Sequence, residues 1–194
     1  MRPALKVPMR LLILFLLLLL PTVIQARIGE SVTQMADRYG MPKNTVSTKT
    51  ADKMSPLIEG ALHYTYEFRG WKIRAAFLQP DGPCVRADYQ KISRAGTKPQ
   101  MQDYELELIT MANTPAGMSW KQIPCSNPDF SANPVSQALA GAVTGQKMWQ
   151  RSDGAILWSR SDRVVRLELP VARQYEAEQK ANKDQKARAS VPTL

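Results

Sequence analysis

The sequence predicts an α+β fold in which short helices pack on antiparallel β-meanders. Two segments place apolar residues at helical spacing, and several shorter runs alternate apolar and polar residues with the period of two that a half-buried strand requires. Arg-Gly and Asp-Gly dipeptides separate the alternating runs and favour tight turns. The order of these elements suggests that a helix-plus-three-strand unit is used twice, over about 27–95 and 100–170.

The first 26 residues have the layout of a secretory signal peptide. Basic residues precede a continuous apolar run from Leu11 to Leu20, and Ile24 and Ala26 occupy the −3 and −1 positions before Arg27. A spanning helix needs about 20 apolar residues, so an uncleaved membrane anchor is the weaker alternative. We expect cleavage between Ala26 and Arg27, a periplasmic or extracellular location, and no transmembrane segment in the mature chain.

The mature chain is only mildly basic. The leader holds three of the 26 lysines and arginines and none of the 17 acidic residues, so cleavage lowers the net charge from +9 to +6. A strong nucleic-acid binder shows a higher and more clustered positive charge, and nucleic acid is therefore not the expected partner. Two cysteines remain, Cys84 and Cys125. In an exported protein they can form one disulfide, and two free thiols are the alternative.

A short capped helix is predicted near the mature N-terminus. Ser31 is a suitable N-cap and Gln34 follows three residues later, which is the spacing of a capping box. Gly40 can adopt the left-handed conformation that ends a helix. The polar segment from Lys43 to Pro56 is predicted to be a loop.

A β-hairpin with a specific register is predicted over residues 62–77. If Arg69 and Gly70 form a two-residue turn, one face carries four apolar or aromatic pairs: Leu62–Phe77, Tyr64–Ala75, Tyr66–Ile73 and Phe68–Trp71. On the other face Glu67 lies opposite Lys72. A register slip of one residue would lose both results, so the pairing is strongly specified.

A third strand, a second helix and a loop follow this hairpin. The strand runs through Val85 and Tyr89, and residues 98–114 return to the spacing of a helix. The apolar face of this helix is expected to comprise Tyr104, Leu108, Met111 and Ala112. Glu105 and Glu107 are expected on its solvated side. Residues 115–134 are rich in Pro, Ser and Asn and predict a loop.

The last part of the chain is predicted to contain one more helix, three strands and a tail. The helix begins at Asn133, and the final strand alternates through Val165 and Leu167. After Pro170 the sequence favours a helix but offers little apolar surface. We expect residues 27–175 to form a single domain and residues 176–194 to form a charged tail that begins as a helix and ends disordered.

The pattern W-x-R-S-D occurs twice, at 149–153 and 158–162. A two-residue turn at Asp153-Gly154 would place Trp149 directly opposite Trp158 at a non-hydrogen-bonded position. One interpretation is an aromatic platform with cationic edges that binds glycans, lipid head groups or single-stranded nucleic acid. The other buries the tryptophans in the core with arginine stems packed along them. The candidate binding residues are Lys147, Trp149, Arg151, Trp158 and Arg160.

No catalytic residue, metal ligand set or cofactor motif is predicted. The single histidine, His63, lies opposite Ala76 in the proposed hairpin and is interpreted as a half-exposed strand residue rather than a general base. The sequence contains no C-x-x-C, G-x-S-x-G, H-E-x-x-H or P-loop pattern. Carboxylates could still perform acid–base chemistry, although no pair among them stands out. The candidates are Glu67, Asp88, Glu105, Glu107, Asp153 and Asp162.

The stretches "ARIGESVTQMADRYGMP" and "WQRSDGA" resemble an uncharacterised family of exported bacterial proteins, with an I-G-E-S…R-Y-G opening and a late W-x-R-S-D-G-A turn. The resemblance spans most of the mature chain and implies no known activity, cofactor or catalytic residue. In element order the chain is also similar to the helix-plus-meander folds of β-lactamase-inhibitor proteins and outer-membrane-assembly lipoproteins. That likeness of layout implies protein binding, although fold alone does not fix function.

These observations favour an exported, non-enzymatic module that binds a protein partner in the cell envelope or outside the cell. The first alternative is an adhesive module for anionic glycan or a membrane surface, which would use the cations and tryptophans of the W-x-R-S-D hairpin. The second alternative is a carboxylate-based hydrolase, which would need two carboxylates in one pocket with the pKa of at least one of them raised.

Overall fold

The described part of the chain forms one antiparallel sheet of eight strands with helices packed on both faces. A computed structural model describes residues 28–47, 56–93, 99–124, 146–161 and 163–190, with the backbone alone at 44–47, 160 and 161. The strands are β1 (Asn44–Ser47), β2 (Leu62–Phe68), β3 (Trp71–Phe77), β4 (Cys84–Lys91), β5 (Trp120–Ile123), β6 (Met148–Arg151), β7 (Ile156–Ser161) and β8 (Val164–Glu168). The helices are α1 (Val32–Tyr39), α2 (Asp103–Ala112) and α3 (Pro170–Ala189). The predicted α+β class is confirmed.

The sheet is built from two units that follow one plan. Its strand order is β1-β2-β3-β4-β8-β7-β6-β5, so that α1 with β1–β4 forms one half and α2 with β5–β8 forms the other. Each unit has four strands, one more than the sequence predicted. The additional strands, β1 and β5, lie within segments 43–56 and 115–134, which were predicted to be loops. Both are edge strands of four residues. They are joined to the sheet by backbone hydrogen bonds, which do not require an alternation of apolar and polar side chains in so short a strand.

The predicted register of the first hairpin is confirmed at every pair. Leu62 lies opposite Phe77, Phe68 opposite Trp71, and Glu67 opposite Lys72 on the other face. The turn fits because Arg69 and Gly70 have φ angles of +48° and +85°. A type I′ turn, whose twist matches that of the flanking strands, requires positive φ at both of its residues.

The first helix is capped as its sequence predicted. The hydroxyl of Ser31 accepts a hydrogen bond from the backbone N–H of Gln34, whose side chain accepts one from the N–H of Ser31. Gly40 has a φ of +85° and donates its N–H to the carbonyl of Ala36 at the helix end. The ring of Tyr39 then packs 5.8 Å from the ring of Tyr66. Helix α1 is thereby fixed on β2.

One face of the sheet holds the larger core, which both α1 and α2 cover. Helix α1 contributes Met35 and Tyr39, and helix α2 contributes Leu106 and Ile109. The sheet contributes the apolar faces of its central strands, namely Tyr66, Ile73, Ala75, Phe77, Ala87, Tyr89, Leu157, Val165 and Leu167. The two helices therefore share one apolar layer that crosses from the first unit into the second.

The other face of the sheet is closed by α3. Ala172 is fully buried in a second cluster together with Leu57, Ile58, Ala61, Ala76 and Val85. Tyr175 of α3 packs partly buried against the same cluster, and the helix continues unbroken to Ala189, with residues 180–190 exposed. The predicted boundary after residue 175 falls inside this helix.

A buried ion cluster attaches α3 to the sheet. The guanidinium of Arg86 is buried and donates to Glu176 of α3 and to the carbonyl of Leu57. It also forms an ion pair with Glu168 at 2.8 Å. Because α3 has little apolar surface besides Ala172 and Tyr175, this ion cluster helps these two residues to fix its position.

Arg86→Met should lower the free energy of unfolding by about 3–5 kcal/mol, because the change leaves the Glu168 carboxylate without its buried counter-ion. Chemical denaturation measures this loss. Lys183→Met is the matched control, since it breaks the exposed ion pair with Glu59 and should cost less than about 1 kcal/mol. Equal losses of unfolding free energy for the two substitutions would contradict the role of Arg86 in attaching α3 to the sheet.

Candidate functional site

The W-x-R-S-D hairpin is formed, but its predicted register is wrong by one residue. Met148 lies opposite Trp158 and Trp149 lies opposite Leu157, so the two tryptophans are not cross-strand partners. The turn has three residues instead of two, since the N–H of Arg151 donates to the carbonyl of Ala155 at 2.8 Å.

The conformation of the Asp-Gly dipeptide explains the longer turn. Only Gly154 has a positive φ in this loop, at +86°, whereas a two-residue turn would require one at Asp153 as well. Asp153 instead uses its carboxylate, which accepts hydrogen bonds from the N–H of Ala155 at 3.1 Å and from the guanidinium of Arg151. The three-residue turn therefore contains an ion pair between Asp153 and Arg151.

The register shift separates the predicted binding residues onto two faces of the sheet. Trp149 packs partly buried against the larger core, whereas Trp158 is 5% exposed on the opposite face, beside Met148. Lys147 is exposed at the start of β6 and pairs with Asp103 at 3.2 Å. Arg160 belongs to β7, where only its backbone is described. The described side chains of this set do not form one aromatic platform.

Arg151 is the central contact between the hairpin and α2. Its side chain is 4% exposed and its guanidinium donates to the carbonyl of Asn113, the residue that caps the C-terminus of α2. It also makes two hydrogen bonds to Asp153 and lies 5.4 Å from the ring centroid of Trp120. A cation at this end of a helix is stabilised by the helix dipole. The hydrogen bond from Arg151, with a further one from the Ala155 N–H, outweighs the opposing effect of burial and sets the pKa of Asp153 below its ordinary value.

Arg151→Ala should therefore lower the free energy of unfolding by about 3–5 kcal/mol, because both Asp153 and the end of α2 lose a buried partner. Lys147→Ala removes the half-exposed cation of the same hairpin and should cost less than about 1 kcal/mol. Urea denaturation of both variants makes the comparison. A loss below about 1 kcal/mol for Arg151→Ala would show that the guanidinium is dispensable for folding.

The acid–base candidates are engaged in ion pairs or exposed at separate places. Asp88 makes two hydrogen bonds to Arg166, at 2.7 and 3.0 Å. Glu105, predicted to lie on the solvated side of α2, is instead largely buried and pairs with Lys91 at 2.7 Å. Glu67 and Glu107 are exposed, and Asp162 lies outside the described residues.

Cys84 is fully buried on β4, and burial raises the pKa of its thiol to about 12. Cys125 lies outside the described residues. Their disulfide therefore stays a prediction. The helix predicted to begin at Asn133 lies outside the described residues as well.

His63 lies opposite Ala76, as predicted, and serves a local structural role. Its Nε2 accepts a hydrogen bond from the backbone N–H of Ile58 at 3.2 Å, which requires the neutral imidazole. Burial, and then the positive charges of Arg74 and Arg86, hold the pKa of His63 below its ordinary value. The histidine thus fixes the segment that leads into β2.

The pKa of His63 makes stability depend on pH with a definite sign. Since the folded pKa lies below the unfolded value of about 6.5, the unfolded chain binds more protons, and stability falls as the pH drops below about 6.5. Each pH unit of difference between the two pKa values corresponds to about 1.4 kcal/mol. In His63→Gln an amide oxygen replaces the acceptor without titrating, so unfolding free energies measured from pH 7.5 to 5 should decline less. Identical slopes in the two proteins would contradict this role.

Helix α2 exposes a row of large apolar side chains that were predicted from the sequence to be buried. Tyr104, Leu108 and Met111 are 61%, 59% and 69% exposed. They stand at positions i, i+4 and i+7, so they lie above one another on one side of the helix. The predicted apolar face is wrong, because Leu106 and Ile109 supply the buried face and only Ala112 belongs to both sets. We call Tyr104, Leu108 and Met111 the outer face of α2.

Beside the outer face, α2 presents the exposed carboxylate of Glu107. From Pro99 to Trp120 the sequence has three carboxylates and no lysine, arginine or histidine, in a chain whose net charge is +9. Glu107 lies one turn from Tyr104 and one turn from Met111, is exposed, and has no ion-pair partner among the described residues. Asp103 at the start of the helix pairs with the exposed Lys147. The outer face therefore combines apolar contact area with negative charge.

Comparison of the chain with protein-family models, curated proteins and solved structures finds no match. The resemblance to exported bacterial proteins accordingly stays a prediction. Within the described ranges, no helix is both long and apolar enough to cross a membrane. The same residues contain no cluster of three or more His, Cys, Asp or Glu side chains that could hold a metal ion.

Proposed function

We propose that this chain is an exported module that binds a protein partner through the outer face of α2. The observation that carries the proposal is the row formed by Tyr104, Leu108 and Met111 on a helix whose opposite side is packed into the core. Single exposed apolar residues are common on protein surfaces, whereas several on successive turns of one helix are typical of interaction sites. A helix laid against a partner groove is recognised through this spacing.

The outer face is suited to binding because its scaffold is already ordered. Leu106 and Ile109 fix the inner side of α2, and Arg151 fixes its C-terminal end. A pre-organised surface loses less conformational entropy on association than a flexible one. Fully burying a side chain such as Leu108 or Met111 contributes about 1.5–3 kcal/mol.

The adhesive alternative has less support. It needs the arginines and tryptophans of the hairpin on one solvated surface, and both Arg151 and Trp158 are buried. The hydrolase alternative needs a carboxylate with a raised pKa, and the pKa of Asp153 is shifted in the opposite direction. Export from the cytoplasm continues to rest on the layout of the first 26 residues.

Photo-crosslinking tests the proposed surface in the producing cell. A benzophenone amino acid at Met111 should form adducts with a partner, while the same amino acid at the exposed Lys186 of α3 should not form them. Adding Tyr104→Gln and Leu108→Gln should reduce the adduct at position 111 at least about tenfold, since each change removes apolar contact area of about 1 kcal/mol or more.

The matched control removes exposed apolar side chains elsewhere. Met41→Gln and Val171→Gln, which change two other exposed residues, should leave the adduct at position 111 intact. Because glutamine is nearly as good a helix former as leucine or methionine, helix propensity is not a confounding factor at Leu108. Adducts that persist unchanged in the Tyr104→Gln/Leu108→Gln protein would overturn the proposal.

A further inference from the structure

The charge on α2 indicates which chemical class of partner its outer face takes. We infer that the partner presents a basic amphipathic segment, with apolar side chains for Tyr104, Leu108 and Met111 and lysine or arginine for Glu107. This inference rests on the proposed function and adds the charge of the partner to it.

The local charge is the first argument. Helix α2 carries Asp103, Glu105 and Glu107 and no cation. The pair between Lys91 and Glu105 lies on the largely buried side, and Lys147 neutralises Asp103 at the helix start. Glu107 alone keeps an exposed carboxylate beside the apolar row without an ion-pair partner in the described residues. A partner cation at this position gains an opposite charge without displacing an existing pair.

A second copy of this chain is a poorer occupant. Two outer faces packed against each other would bring two Glu107 carboxylates into one interface, and like charges at an interface are unfavourable. The whole chains, each with a net charge of +9 before and +6 after removal of the leader, would also repel each other.

An anionic membrane surface is a poorer occupant as well. Helices that lie in the plane of such a membrane carry Lys and Arg beside their apolar face, because these side chains contact the negative head groups. Helix α2 carries the exposed carboxylate of Glu107 in the corresponding position. The charge of the outer face therefore favours a basic protein segment over lipid.

Charge reversal at Glu107 tests the inference in the full chain with the benzophenone amino acid at Met111. Glu107→Lys should reduce the adduct at least fivefold, and Glu107→Gln should reduce it by a smaller factor. Asp184→Lys, which makes the same charge change at an exposed position of α3, should have no effect. Raising the salt concentration from 0.1 to 0.5 M during crosslinking in isolated envelopes should weaken the wild-type adduct, since screening is stronger at high salt.

The identity of the crosslinked segment completes the test. Mass spectrometry of the adduct should find a peptide with apolar residues at helical spacing and lysine or arginine between them. An adduct that depends on Leu108 but not on Glu107 or salt would overturn the inference and leave the proposed function standing. An adduct of two copies, or Leu108-dependent cosedimentation with phosphatidylglycerol vesicles in place of a protein adduct, would overturn both.

Discussion

The pairing of β4 with β8 is the contact on which the rest of the sheet depends, because among the described strands it is the only place where the two four-strand units share a ladder. Its register is fixed from both sides. Arg86 lies opposite Glu168 and Asp88 opposite Arg166 on one face, while Ala87 and Tyr89 meet apolar residues of β8 on the other. A slip of one residue would bury these charges in the larger core and expose its apolar side chains. The ion pairs thus specify the register that joins the units.

The two units apply one plan with different local chemistry. Each begins with a capping box, Ser31 with Gln34 in α1 and Gln102 with Glu105 in α2. Their hairpins diverge at the turn, where Arg69 takes positive φ in the first unit and Asp153 does not in the second. The second turn consequently has three residues and an acceptor for the guanidinium at position 151. The same guanidinium donates to the carbonyl of Asn113 and so ties α2 to the hairpin.

Prediction from the sequence succeeded for elements in which the turn residues and the strand faces indicate the same structure. It failed where two structures are compatible with the same sequence pattern. The first hairpin was predicted completely because its turn residues and both strand faces demand one register. The second was predicted one residue out of register because an Asp-Gly dipeptide fits turns of two or three residues. The edge strands β1 and β5 were missed because backbone hydrogen bonds between strands do not produce a recognisable side-chain pattern in the sequence. For α2 the apolar residues form two rows, and only the tertiary packing of Leu106 and Ile109 determines which row remains exposed and forms the candidate site.

The position of α3 in the chain has a consequence for the order in which the structure can be completed. The bond between Arg86 and Glu176 joins residues 90 positions apart, and α3 follows all the described strands in the chain. Until α3 has been synthesised, the guanidinium of Arg86 on β4 and the apolar residues beside it stay uncovered. During that interval the second face of the sheet resembles an open binding surface, so a truncation before α3 should create a species that associates with other proteins or aggregates rather than a smaller stable domain.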